Sequence, residues 1–204
     1  MKVRALLLGC ALVFATGSQA IGQDDDEPVD PTYAGWYFGG SATGAIENFS
    51  EGIRSTGGGG GGFTVGHRAS EFLSFELEMS WLQDFTVKAQ APGQSKSELD
   101  IWESTLNFRV HFPIEDSQWE PYITYGVGMM DVETRVSASS PQALGGLNRS
   151  DLIVKGGGGV SYQVDNALSL FAGGTYVLPL GNIKEFDHAA FSVGFLYKFI
   201  DEDY

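Results

Sequence analysis

From Phe72 to Leu82 the chain alternates without a slip: Leu73, Phe75, Leu77, Met79 and Trp81 fall on one side, Ser74, Glu76, Glu78 and Ser80 on the other. A period of two belongs to a β-strand, whose successive side chains leave opposite faces, and excludes a helix. Leu99 to Phe112 repeats the pattern, with Trp102, Ser104, Leu106, Phe108, Val110 and Phe112 set against Glu103, Thr105, Asn107, Arg109 and His111. Each run therefore has a largely apolar face and a polar, charged one. A soluble half-buried strand would read the same way, so these runs fix the period before they fix the solvent.

Six further runs fit strands: Gly35 to Thr43, Gly61 to Arg68, Tyr122 to Val132, Asp151 to Val164, Leu168 to Leu178 and Ala189 to Phe199. They are rich in Gly, aromatic and β-branched residues, and no long helical stripe interrupts them, so the expected class is all-β with about eight strands. The links after Thr43, Leu82, Val132 and Leu178 are long and polar, whereas those around Ala69, Asp116 and Asp165 are short. That alternation predicts a closed up-and-down antiparallel barrel with its long loops at one end. Its strands have about the 9–11 residues that a tilted bilayer span needs. Trp36 and Trp119 fall at strand starts on the short-turn side, and Trp81 and Trp102 flank the second long loop. With Tyr122, Tyr162, Tyr197 and Phe199 added on the short-turn side, they form the expected interface girdles.

The first 20 residues read as a cleaved secretory signal: Lys2 and Arg4, an apolar stretch from Ala5 to Ala15, then Ser18-Gln19-Ala20 as the cleavage site. The apolar run is too short to span a membrane. The only cysteine, Cys10, leaves with it; a lipoprotein signal at Leu7-Leu8-Gly9-Cys10 would leave too short an apolar core. Residues 21–32 are an acidic linker carrying Pro28 and Pro31, and residues 200–204 a short acidic tail. The formal charge is -14, yet eight of the 26 acids lie in those two tails, so the body from 33 to 199 is only mildly acidic. It has no basic footprint for nucleic acid.

If the apolar faces meet lipid, Glu76, Glu78, Glu103, Arg109, His111, Lys155 and Lys198 point into the barrel. Eight strands leave an interior that side chains fill, so these groups are expected to pair in a plug-like network. His67, His111 and His188 have no metal-ligand spacing. His188 with Ser192 is the nearest approach to a His and Ser pair on a lipid-facing wall, but the two sit two strand pairs apart, so no enzyme is expected. The glycine runs Gly57 to Gly62 and Gly156 to Gly159 satisfy only loose phosphate-loop patterns. Neither opens a predicted helix, so they are read as backbone devices that let Phe and Tyr pack across them. No cofactor or metal is expected.

The last strand, Ser192-Val193-Gly194-Phe195-Leu196-Tyr197-Lys198-Phe199, resembles the C-terminal signature of outer-membrane barrels, with Ser192, Gly194, Tyr197 and Phe199 at its key positions. Gly35-Trp36-Tyr37-Phe38-Gly39-Gly40 opens the first strand and Glu120-Pro121-Tyr122 the fifth. With these, residues 33–199 resemble the small OmpA-like or OmpX-like barrel domain. The chain departs from that pattern by continuing through Ile200 to Tyr204, and no wall-binding domain is expected after the barrel. The resemblance implies an outer-membrane location, contact with outer-membrane lipid, and recognition of the last strand by the barrel-assembly machinery. The expected role is non-enzymatic, in envelope integrity or surface interaction, with the long loops near 44–58, 83–98, 133–149 and 179–188 as the surface for an extracellular ligand. The alternative is a small passive channel for water, ions or small solutes. A soluble barrel holding an apolar ligand would need the apolar faces turned inward, against the charged faces and the Trp placement.

Overall fold

The computed structural model describes residues 34–47, 54–88, 97–136, 148–181 and 186–199. The signal, linker and tail, and parts of the four long loops, lie outside the described residues. Among the described residues nine strands form one antiparallel sheet: β1 (Gly35–Glu47), β2 (Arg54–Thr56), β3 (Gly58–Arg68), β4 (Leu73–Lys88), β5 (Ser97–His111), β6 (Trp119–Val136), β7 (Asn148–Gln163), β8 (Leu168–Pro179) and β9 (His188–Lys198). β2 and β3 pair with β4 in one continuous register, Arg54 opposite Lys88 and Gly59 opposite Gln83, so together they make one stave broken at Gly57. β1 pairs with β9 and β4 with β5, which closes an eight-stave barrel.

The closure is staggered. Paired positions followed round the wall from Tyr37 run through Gly66, Glu76, Asn107, Gly126, Lys155, Val177 and His188. The path re-enters β1 at Glu47, ten residues further along. Such a stagger tilts the strands against the barrel axis and, with eight staves, sets a lumen that side chains can fill. Every described side chain on that path faces inward, and the next path, through Trp36, His67, Phe75, Phe108, Tyr125 and Tyr176, faces outward.

Between Trp36 and Ile46 on β1, Leu73 and Trp81 on β4, and Trp119 and Met129 on β6, no outward position is charged. Phe63, Met79, Val127, Leu170, Phe191 and Val193 are exposed on this band, a face that water penalises and hydrocarbon accepts. The four tryptophans point outward at its edges. Trp81 stacks obliquely on Trp102 across the β4–β5 pair, with ring centroids 6.2 Å apart, and Trp119 on Tyr162 at 4.8 Å. Above the band the outward positions turn polar, and Asp131 accepts a hydrogen bond from Ser150 across β6 and β7.

The strands reach further toward the long-loop end than their apolar faces do. β4 continues to Lys88 and β6 to Val136, so segments expected as loop are ladder-bonded wall, because strand pairing needs backbone partners and not an apolar face. On that stretch Gln83 and Asp84 together oppose Asp100, a bulge in the β4–β5 ladder. The short-turn end is tied locally: the Ala69 amide donates to the Leu73 carbonyl (2.9 Å), and the Ala167 and Leu168 amides both donate to Asp165 Oδ1 (2.8 Å each).

The barrel lumen as candidate functional site

The inward positions of β4, read from the short-turn end, are Ser74, Glu76, Glu78, Ser80 and Leu82, and each opens one tier of the lumen. In the first tier Ser74 Oγ lies 2.8 Å from His111 Nε2 and His111 Nδ1 2.6 Å from Glu120 Oε1. Arg68 donates to both Glu120 oxygens, Nη1 to Oε1 at 3.2 Å and Nη2 to Oε2 at 2.7 Å. This is a bidentate fork, the strong form of a charge-assisted pair. Four staves and the Ser70 and Glu71 carbonyls, which Arg68 also reaches, are thereby joined.

In the second tier Arg109 Nε stands 3.1 Å from Glu76 Oε1, and Tyr37 Oη donates to the same oxygen at 2.7 Å. The Arg109 guanidinium lies 4.3 Å from the centre of the Tyr122 ring and 5.6 Å from that of Phe171, so the cation rests on π-faces as well as on its carboxylate. Inward glycines make the room. A methyl group on Gly66 would sit 2.6 Å from Tyr37 Oη, and one on Gly159 or Gly173 would sit 2.6 or 2.5 Å from Tyr122 Oη. The third tier is Lys155 Nζ bound at 2.8 Å to each oxygen of Glu78, which also accepts from Asn107 Nδ2 at 2.8 Å. In the fourth, Ser80 Oγ donates to Glu103 Oε2 (3.2 Å) and His188 Nε2 lies 3.3 Å from Glu103 Oε1. His188 is fully buried.

The fifth tier is of another kind. Ala45, Leu82, Ile101, Met130, Val132, Ile153, Val177 and Ala190 close on one another across the lumen, with the partly buried Phe186 against them. Leu82 adjoins Trp81 and Ile101 adjoins Trp102, so this apolar plug lies level with the outer tryptophans. The lumen is polar below it and apolar toward the long-loop end.

The seven residues read from sequence as interior charges all sit on inward positions, and six of them join pairs within the described residues. Glu76 and Arg109 pair, as do Glu78 and Lys155; Glu103 faces His188 and His111 faces Glu120. Lys198 faces inward at the short-turn mouth. Ser192 faces inward and shares a 2.8 Å hydrogen bond with Thr43 Oγ1, Gly194 faces inward beneath the Phe171 ring, and Tyr197 and Phe199 face out. Two expectations change. Tyr122 belongs to the lumen and not to the girdle, because its even position on β6 shares a face with Glu120 and Thr124. His188 and Ser192 also point inward, so they form no lipid-facing pair; β9 starts one residue before the expected strand, bringing His188 into its inward series.

The sequence did not place Tyr37, Arg68, Glu120, Tyr122, His188 or the plug in the lumen. The plug does have a signal. Trp81-Leu82, Ile101-Trp102, Met129-Met130, Leu152-Ile153, Val177-Leu178 and Ala189-Ala190 are consecutive apolar pairs, where strict alternation gives way because both faces of the wall are apolar.

Residues 6–199 match the family described as outer membrane protein beta-barrel domain. No curated protein matches the chain. Among solved structures it is similar to OprG from Pseudomonas aeruginosa, at TM-score 0.62 and 16% identity over 83% of this chain and 98% of that one. It is also similar to Neisserial surface protein A, at TM-score 0.61 and 18% identity over 80% and 97%. A third is Ail of Yersinia pestis, solved with the heparin analogue sucrose octasulfate, at TM-score 0.51 and 11% identity over 81% and 97%.

Proposed function

The chain belongs to the outer-membrane β-barrel family, and from that premise we propose that it is a non-conducting barrel serving envelope integrity or surface interaction. One observation carries this reading: the apolar plug closes the lumen at the long-loop end. An ion entering from the other end would have to shed water against eight buried apolar side chains, a step that apolar surroundings penalise heavily. The polar tiers below support the same view, since their charges are paired within the lumen, several of them across it between staves that are not neighbours, and brace the wall.

The reading is also non-enzymatic. Ser74, His111 and Glu120 stand in the order of nucleophile, base and orienting acid, but Ser74 is fully buried. Lipid is the proposed partner of the outward band, and the β9 segment from Ser192 to Phe199 the proposed contact of the assembly machinery. A surface ligand is assigned to the sealed end, as loops on a rigid wall favour. Ail, solved with a heparin analogue, offers one precedent for a ligand on such a barrel.

The test is conductance of the refolded chain in planar bilayers. No unitary current is expected over the ordinary voltage range. A steady ohmic current would overturn the reading in favour of a passive channel.

A further inference from the structure

Below the first tier the lumen opens at the short-turn end as a well of about 80 Å³ to which all eight staves contribute. At the ~15 Å³ that one water-sized probe requires, it takes about five waters or one solute of similar heavy-atom count. The two sides of its wall differ. On the β3 to β6 side, Arg68, Ser74, His111 and Glu120 bond to one another. On the β7 to β8 side, Ser161, Gln163 and Ser169 present two hydroxyls and a carboxamide. Ser161 is directly opposite Glu120 in the β6–β7 ladder and 5% exposed, and its Oγ has no hydrogen-bond partner. A buried hydroxyl without a partner is a deficit that an occupant can fill, and a rotation about χ1 turns it.

We propose that this well binds a small neutral polyol, of about glycerol's size, from the short-turn side. Neutrality follows from the charges. Arg68 and Glu120 already satisfy each other, Lys198, the other charge on the lining, is also engaged, and the exposed turn acids Glu71, Asp116 and Asp165 stand around that end and repel anions. Hydroxyl groups, which donate and accept at once, match Ser161, Gln163 and Ser169 together. The plug above makes the well blind, so the solute binds and returns without crossing.

The test uses the full chain carrying Cys10→Ser and Ala167→Cys, which puts a thiol on the well's lining without touching the three polar groups, folded in micelles, with the alkylation rate of the new thiol by a small uncharged reagent as readout. Glycerol at twice its dissociation constant is expected to slow alkylation roughly threefold by mass action. Sucrose at matched viscosity, too large for the well, leaves the rate unchanged. Adding Ser161→Val, with folding checked by heat-dependent gel mobility, removes most of the protection. Equal slowing by both solutes or no slowing by glycerol would show that the well does not take the polyol, and full protection in the Ser161→Val variant would show that the unpartnered hydroxyl is not what holds it; each overturns the proposal. The result is separate from the conductance test, since a conducting barrel could still bind glycerol here and a sealed one could fail to.

Discussion

The two halves of the lumen are built on one wall in one register, yet they hold together by opposite means. In the short-turn half, Glu76, Glu78, Glu103, Arg109 and Lys155 are buried or largely buried and each is matched by a named partner. In the long-loop half, Leu82, Ile101, Met130, Val132, Ile153 and Val177 need no partner, only contact. Removing one member of a buried pair strands the other, whereas trimming an apolar residue leaves a void that neighbours can partly fill. The polar half should therefore be the more brittle and the apolar half the more decisive for sealing.

The sharpest way to break that comparison is Arg109→Ala. It leaves the Glu76 carboxylate, 1% exposed, with only Tyr37, and the expected loss is about 3–5 kcal/mol of unfolding free energy. The loss is read from urea titration of the heat-modifiable gel band. Pairing Glu76→Gln with Arg109→Met should recover most of it, because no charge is then stranded; if the double variant is as unstable as the single, the pairing account is wrong. Ile101→Ala comes next, at about 2–4 kcal/mol for a fully buried side chain, with no current in bilayers. Replacing Ile101, Met130 and Val177 together by Ser should instead wet the plug and produce a current. Glu78→Gln with Lys155→Met, below the plug, should not.

The contrast also explains what was legible in the sequence. β4 and β5 alternate cleanly, so their inward faces, and hence Glu76, Glu78, Glu103, Arg109 and His111, could be read from spacing. Their partners could not. Arg68 and Glu120 sit at strand ends, where a turn and a strand are indistinguishable by period. Tyr37 and Tyr122 belong to strands whose inward neighbours include Gly39, Gly126 and Gly128, so there is little side-chain pattern to reveal the face. Aromatic residues near strand ends are also expected in the girdle, which draws Tyr122 to the wrong side. The plug was hidden because a second apolar residue beside Trp81 or Trp102 reads as the end of an alternating strand, while in the barrel it marks the level where lumen and lipid face are both apolar.

A smaller effect probes the room the polar half needs. Gly159→Ala places a methyl 2.6 Å from Tyr122 Oη and close against the Ala172 carbonyl, and overpacking of this kind costs about 1–3 kcal/mol. Tyr122→Phe should relieve part of that cost, since it removes one of the atoms in collision while the backbone contact with the Ala172 carbonyl remains. Equal destabilisation in the two backgrounds would show that Tyr122 is not what the glycine accommodates.

The smallest effect lies outside the lumen, at the level of the plug. Trp81 and Trp102 face outward directly opposite each other on β4 and β5, at 6.2 Å between centroids, while Leu82 and Ile101, their chain neighbours, face the plug. A double-mutant cycle on Trp81→Leu and Trp102→Leu should give a coupling of about 0.5–1.5 kcal/mol, the usual worth of an aromatic pair beyond its area. Because Leu keeps the outer face apolar and the ring pair lies on the far side of the wall, neither substitution should admit current. A cycle with no coupling would reduce the two rings to independent interface anchors. Current in the Trp102→Leu variant would mean that the seal depends on the outer girdle holding the wall in place, so that the plug would no longer be a property of the inward side chains alone.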